Sequence, residues 1–438
     1  MNDMAAHDGT RAAPWRFGSL AIIALLAGCA TQQPNNRRSG TEAFGFLAFG
    51  DSGYHYDYLD PDDVQQDAAA YIAHERSEWL EDRRAPAEFT AAPPHTLPDG
   101  RVVAASGALP VAAAMRTYCG EHDCRFATML GDNIYPEGAT AGADGRSDAE
   151  RFRAVFETPY GRFGELAPDF RIYSALGNHD WKTSRAGALA ELHYLEHTPP
   201  FYMDGFFYRV TPPGLEGQVE LFVLDTELLL ANVSVPETAV DWDGSEILLP
   251  ERDEPGEGAQ QQTDAERGQA RWLEQALATS TARWKIVVGH HPLWSTAGSK
   301  FAQARALRAL VLPALCRYAD LYLAGHEHTL EVHLDDCRKA LAGEPVPPLL
   351  QVVSGAASKQ RPSNSAFATQ QQAANPELRS LFSHGMVWGF AHISIDGDRA
   401  TVRLLSTPDD ASGRPVEEFQ YSVERRGRRT RDNARPGS

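Results

Sequence analysis

Five times along this 438-residue chain a short apolar run stops at a glycine, and a side chain able to bind a metal follows within a residue. The stops are GDSG at 50–53, GDNIY at 131–135, GNHD at 177–180, GHHP at 289–292 and GHEH at 325–328. A short apolar run bounded by turn residues reads as a buried strand. Between these runs lie segments with helical character, around 62–82, 107–118, 264–279 and 301–315. Alternating strands and helices predict an α/β core. Asp396-Gly397-Asp398 between two alternating runs predicts a closing antiparallel hairpin.

In open α/β sheets ligands bind beyond the carboxyl ends of the strands. Five strands of one sheet would therefore deliver Asp51, Asp132, Asn178 and several histidines to one crevice. Two metal ions about 3.5 Å apart need a bridging carboxylate and separate terminal ligands. Imidazole mixed with carboxylate favours iron, zinc or manganese over calcium or magnesium. Such a pair of ions clamps a phosphate and acidifies water, and a nearby imidazolium can protonate the leaving group.

The ordered set of five motifs resembles the calcineurin-like metallophosphoesterases, and among them the purple, tartrate-resistant type of acid phosphatase. The likeness runs over about 44–424, inserted stretches excepted. It implies a four-layer α/β/β/α sandwich of two mixed sheets flanked by helices. It implies Asp51, Tyr135 and His328 as terminal ligands of one ion, Asp132 as the bridge, and Asn178, His290 and His326 on the second ion. It places His179 beside the leaving group. The implied reaction is hydrolysis of phosphate monoesters by a hydroxide generated at the two metals. A phenol has a pKa near 10 and suits a divalent ion poorly at neutral pH. Tyr135 therefore points to Fe(III) in its site, with Fe, Zn or Mn as a divalent partner. The subgroup commonly has tryptophan where Ser52 stands, and this departure bears on the pocket wall rather than on a ligand.

Two stretches interrupt the pattern, at about 54–104 and 233–262. The first leaves directly from the GDSG turn and is placed to form a lid or specificity wall. Its start makes Tyr54 and His55 candidate substrate contacts, with packing of the insertion as the plainer alternative. His291 is a third pocket candidate, and His193 and His197 are candidates for the pocket mouth. Asp180, Asn133 and Asp225 read as structural, shaping turns rather than binding metal.

Arg11 and Arg16 precede the apolar run 17–28, which ends in Leu26-Ala27-Gly28-Cys29. The run is too short to span a bilayer and fits an export signal. It resembles the lipobox of bacterial lipoproteins, which implies a signal peptide at 1–28 and a lipid anchor on Cys29. Ala30 rather than Asp follows the cysteine, favouring an outer-membrane address facing the periplasm or cell surface. Residues 29–43 read as a polar tether and 425–438 as a basic disordered tail. Four cysteines remain, Cys119, Cys124, Cys316 and Cys337. In an exported chain an even number suggests disulfides. Of three possible pairings, Cys119–Cys124 with Cys316–Cys337 is preferred because each brackets a short segment. The net charge of −18 argues against a nucleic-acid partner, which would ask for a basic face. Two other readings stay open: a phosphodiesterase or nucleotidase with two divalent ions, and a non-catalytic envelope lipoprotein that binds phosphorylated ligands.

Overall fold

The apolar runs of the sequence become inner strands of two seven-stranded sheets. In the first, Phe44–Phe49, Phe126–Leu130, Ile172–Ala175 and Phe201–Tyr202 lie side by side and parallel. Gly389–Asp396 pairs antiparallel with Phe44–Phe49, then turns at Gly397 into Arg399–Ser406. Gly397 has φ of +59°, a left-handed backbone that costs glycine nothing in Cβ clashes. In the second sheet Val219–Val223, Trp284–Val288, Leu321–Ala324 and Leu349–Ser354 are parallel. Leu330–Asp335 and Leu378–His384 continue it antiparallel on one side, and Tyr208–Val210 on the other. The computed structural model describes residues 43–426 except 168, 232, 254, 299 and 409–412. The signal segment 1–28, Cys29, the tether to residue 42 and tail residues 427–438 lie outside the described residues. No described helix is long and apolar enough to cross a membrane.

Strands covered on both faces carry continuous apolar runs, and every residue of Phe44–Phe49, Phe126–Leu130 and Trp284–Val288 is buried. One apolar cluster joins Phe46 and Met129 of the first sheet to Leu221, Ile286 and Leu323 of the second. Val111 and Met115 of the helix Ala108–Cys119 join the same cluster. Side chains of the opposite orientation in the second sheet, Phe222, Val287 and Tyr322, pack with Leu273 and Leu277 of the helix Gln269–Thr279. Leu307 and Val311 of the helix Phe301–Tyr318 complete that layer. Two mixed sheets face to face with helices outside give the four-layer α/β/β/α sandwich.

The expectation of five strands in one sheet needs correction. Asp51, Asp132 and Asn178 follow strands of the first sheet, whereas His290, His326 and His328 follow strands of the second. An apolar run states that a strand is buried and says nothing about its neighbours, so the division into two sheets is invisible in any single run.

The first insertion begins with a turn at Pro61–Asp63, and its helix starts at Ala68, later than residue 62. Asp67 caps it, accepting from the backbone N–H groups of Ala69 and Ala70. A short hairpin, Pro94–Thr96 with Val102–Ala104, follows. The second insertion contains a two-stranded ribbon, Val235–Val240 with Glu246–Asp253. The helical stretch 264–279 is two pieces, Asp264–Arg267 and Gln269–Thr279, parted at Gly268.

The structure pairs Cys119 with Cys124 and Cys316 with Cys337. The second bond ties the helix Phe301–Tyr318 to the chain after Leu330–Asp335 across a separation of 21 residues. Loop-closure entropy for such a ring is worth about 3 kcal/mol. Replacing Cys316 and Cys337 by serine is expected to lower the unfolding free energy by about that amount in urea titrations. The tail begins later than residue 425. Arg425 holds Asp398, and the Arg426 guanidinium donates to the carbonyls of Leu315, Cys316 and Ala319 at the end of that same helix. A cation suits the negative end of a helix.

Candidate metal centre

Two turns shape the first ligands. Asp51 and Asp132 each follow a strand with a left-handed backbone, at φ of +56° and +52°, and His326 does the same at +69°. Non-glycine residues rarely adopt this conformation, and it costs about 1–2 kcal/mol each. The turns bring the three side chains together. The glycines beside them matter for a different reason. A Cβ on Gly177 would stand 2.3 Å from Asp132 Oδ1, and one on Gly325 would stand 2.6 Å from Asp51 Oδ2. These carboxylates therefore rest directly on the backbone that carries Asn178 and His326.

The side chains gather into two sets of donors. In one, the Tyr135 hydroxyl lies 2.9 Å from Asp51 Oδ1, 2.9 Å from Asp132 Oδ2 and 3.1 Å from His328 Nε2. In the other, Asn178 Oδ1 lies 3.1 Å from His290 Nε2 and 3.0 Å from His326 Nδ1. Asp132 Oδ1 is 3.3 Å from His290 Nε2, so the one aspartate belongs to both sets. His290 donates from Nδ1 to the Leu130 carbonyl at 2.8 Å, leaving the lone pair of Nε2 to face its set.

These donors suit cations. Asp51, Asp132 and Tyr135 are buried together, and the ionic partners of the two aspartates within 4 Å are imidazoles among the described residues. Burial, with the Asp132 charge adding to it, pushes Asp51 up to about 8. Burial and the two neighbouring carboxylates push Tyr135 well above the usual phenol range. Asp132 goes the other way: burial would raise it, but the charge and bond of His290 outweigh this and hold it well below the usual carboxylate range. Oxygen and imidazole donors in two sets sharing one carboxylate match the needs of two neighbouring ions.

His179 stands at the edge of this cluster. Its Nδ1 donates to the Pro136 carbonyl at 2.5 Å, which fixes the tautomer. Its Nε2 is 3.9 Å from Asp132 Oδ2 and 3.4 Å from Lys182 Nζ. Asp180 accepts from the backbone N–H groups of Gly177, Asn133 and Ile134 at 2.8–3.0 Å, holding two ligand turns together. Asn133 donates to the Ala175 carbonyl and to Glu191, a buried carboxyl. Asp225 caps the helix Thr226–Leu230 and accepts from the Trp181 indole.

The three pocket candidates part ways. His291 is 1% exposed, holds Thr226 Oγ1 at 2.8 Å and packs its ring 4.4 Å from that of His326. It lines, together with His326, a pocket walled by Trp294, Lys300 and Phe301. Tyr54 is buried, and its backbone N–H donates to Ser358. His55 is half-buried among Tyr56, Tyr58 and Asp57. His193 and His197 are exposed neighbours on the helix Arg185–His197. Ser52 is buried rather than exposed on a pocket wall.

A sixth strand end escaped the sequence reading. After Leu349–Ser354 the chain runs through Ser358, Lys359 and Arg361. Ser358 donates to the backbone carbonyl of Asp51. Lys359 Nζ stands 4.9 Å from the centre of the Tyr135 ring, and Arg361 donates to the His326 carbonyl and to Glu327. The available signal was scarcity, since Lys182 and Lys359 are two of only five lysines in the chain.

Comparison with known proteins bears on the fold and the family. Residues 125–330 match the calcineurin-like phosphoesterase family model, a span holding every ligand candidate except Asp51. Tartrate-resistant acid phosphatase type 5 of Mus musculus is 27% identical over 307 residues, covering 69% of this chain and 80% of that protein. Purple acid phosphatase 4 of Arabidopsis thaliana is 27% identical over 318 residues, covering 71% and 78%. Among solved structures, the purple acid phosphatase PPD1 of yellow lupin superposes with a TM-score of 0.50 at 14% identity, over 88% of this chain and 54% of that one. The Plasmodium inner membrane complex anchor GAP50 gives 0.52 at 14%, over 88% and 90%. The structural likenesses speak to the fold. The chain thus folds as a metallophosphoesterase sandwich, matches the calcineurin-like phosphoesterase model over 125–330, and is similar over 69–71% of its length to purple and tartrate-resistant acid phosphatases.

Proposed function

We propose that this protein is a binuclear metal-dependent phosphatase that hydrolyses phosphate monoesters, with Fe(III) in the Tyr135 site and a divalent Fe, Zn or Mn in the other. The observation that carries the reading is the pair of donor sets sharing Asp132, one of which includes a phenol. Asp51, Asp132, Tyr135 and His328 would hold the first ion, and Asp132, Asn178, His290 and His326 the second. When bound, the ions supply Lewis acidity that neutralises phosphate oxygens and acidifies water. Lys182 and Lys359 add positive charge beside the centre and draw a dianionic phosphate toward it. With Nδ1 committed to Pro136, Nε2 of His179 is the nitrogen open to take up a mobile proton, and burial lowers the imidazole to about 4, so it would be charged in acid. It would hand that proton to the leaving alkoxide as the phosphorus–oxygen bond breaks and the oxygen of water bonds to phosphorus. Export and a lipid anchor at Cys29 belong to the same proposal and rest on the lipobox pattern.

Tyr135→Phe tests the iron assignment. The variant keeps the ring packing and removes the one oxygen that can bind as a phenolate. Purified wild-type protein is expected to be coloured and the variant to lose its visible absorption band while the fold, followed by circular dichroism, persists. A colourless wild-type protein containing zinc or manganese in both sites would overturn the assignment.

A further inference from the structure

Beside the metal centre lies a cavity of about 290 Å³, walled on one side by the insertion helix Ala68–Glu81. The ligand His328 and Lys359 line it, and so do three carboxylates, Asp63, Glu75 and Glu78. The charges balance only in part: Lys359 acts on Asp63 from beyond 4 Å, and Glu75 accepts from the Ala92 N–H at 3.1 Å. Of the other charged groups on its wall, Asp82 is 3.5 Å from Arg84 and Arg361 is 2.6 Å from Glu327, so each has its own partner. Among the described residues no lysine or arginine lies within 4 Å of Asp63, Glu75 or Glu78, and His74 at 3.6 Å from Glu78 is the nearest basic group. Burial pushes all three carboxyls above their usual range, with the Asp63 charge adding at Glu75 and Glu78, while Lys359 at Asp63 and His74 at all three offset this only in part. A cation placed among them would relieve both effects.

The cavity also holds an unused hydroxyl. Tyr54 is 4% exposed and lines the cavity, and its buried oxygen has no hydrogen-bond partner. A buried hydroxyl without a partner is unfavourable by about 1–3 kcal/mol. Its field comes chiefly from Asp63 among the charged groups, with Glu75 also contributing. An ammonium group offers three N–H donors, enough for two carboxylates and this phenol oxygen. The aromatic ring adds attraction for a cation nearby.

We propose that this cavity is a subsite for the ammonium end of the substrate, so that the enzyme prefers phosphate esters of amino alcohols. The phosphoryl group would lie at the metal centre beside Lys359, with the ammonium among Asp63, Glu75 and Glu78. The inference rests on the phosphatase reading for its orientation, but its test does not depend on turnover. The competing occupant is a third metal ion, since single ligand atoms of Asp63, His74 and Glu78 come within 4.8 Å of one another. The exposed Glu78 carboxylate, 57% accessible, and the neutral phenol favour an organic cation over a tightly held metal.

Binding is measured by calorimetry on the metal-loaded full chain with 2-aminoethylphosphonate and ethylphosphonate, which cannot be hydrolysed. The amino compound is expected to bind about tenfold tighter. In Glu75→Gln and Asp63→Asn the ratio of the two affinities should fall toward one. Affinities within twofold of each other in the wild type would overturn the subsite. So would a third metal ion per chain that disappears in Asp63→Asn. Turnover of 2-aminoethyl phosphate against ethyl phosphate separates the two readings. A binding preference without hydrolysis of either ester keeps the subsite and sinks the phosphatase. Equal affinities with hydrolysis of both do the reverse.

Discussion

Asp132→Asn is expected to lower kcat by about 10³-fold and to reduce the metal content from two ions per chain to fewer than one. Asp132 is the residue whose two oxygens face different donor sets, Oδ2 toward Tyr135 and Oδ1 toward His290. Asparagine removes the charge and turns one oxygen into a donor, so one set loses its acceptor and both lose the shared anion. The exchange is gentle to the backbone. Asparagine tolerates the left-handed φ of +52° at this position and can still accept from the His179 N–H. Elemental analysis alongside steady-state kinetics on an aryl phosphate gives the answer. Two ions per chain and an unchanged kcat would show that Asp132 does not bridge.

The largest expected loss of stability lies a few residues from the ligands. Glu331 is fully buried and accepts four hydrogen bonds: from the Thr296 N–H and hydroxyl, from the Thr329 hydroxyl, and from His333 Nε2 at 2.7 Å. Glu331→Ala would strand all these donors in a dry interior, at a cost of about 3–5 kcal/mol. Denaturant titration should show it as a lower midpoint with an unchanged slope. The ionised carboxylate also carries a pH signature. Burial raises its pKa, but the bond and charge of His333 and the donors from Thr296 and Thr329 outweigh this and hold it below the usual range. A depressed folded-state pKa means stabilisation that is complete above the unfolded value near 4.3 and lost as the pH falls through the folded value. The stability gap between wild type and variant should therefore narrow below about pH 4. A gap independent of pH would show that Glu331 is not ionised in the fold.

The legible part of this site follows from how its ligands are made. A buried strand must be apolar, and the turn after it must be small and polar, so each ligand stands out against its own neighbours. That contrast exposed Asp51, Asp132, Asn178, His290, His326 and His328 one strand end at a time. The phenol at Tyr135 stood out because a turn rarely hosts a large ring. What stayed hidden had no such contrast. Lys359 and Arg361 follow a strand as plainly as the ligands do, but a lone cation after a strand reads as surface. Glu191 and Glu331 sit inside elements whose pattern gives no reason to bury a charge, and partners 58 and 35 residues away are part of what explains them. The ribbon Val235–Val240 with Glu246–Asp253 has polar residues on both faces, so alternation could not reveal it. The partition into two sheets is a property of pairing, which no single run encodes.

The contact of Asp51 with Gly325 and of Asp132 with Gly177 has a consequence for how the molecule holds together. Asp51, from the first sheet, also accepts the backbone N–H of His326, which the second sheet presents, at 2.8 Å. Each donor set draws on both sheets, so an ion in either one is a clasp across the seam of the sandwich. Occupancy then enters the folding equilibrium itself: every tenfold rise in free metal above its dissociation constant adds about 1.4 kcal/mol to the folded state for each site. In an apo chain only the Tyr135 hydroxyl and the neighbouring imidazoles bridge these two acids, and the seam is where it should open first.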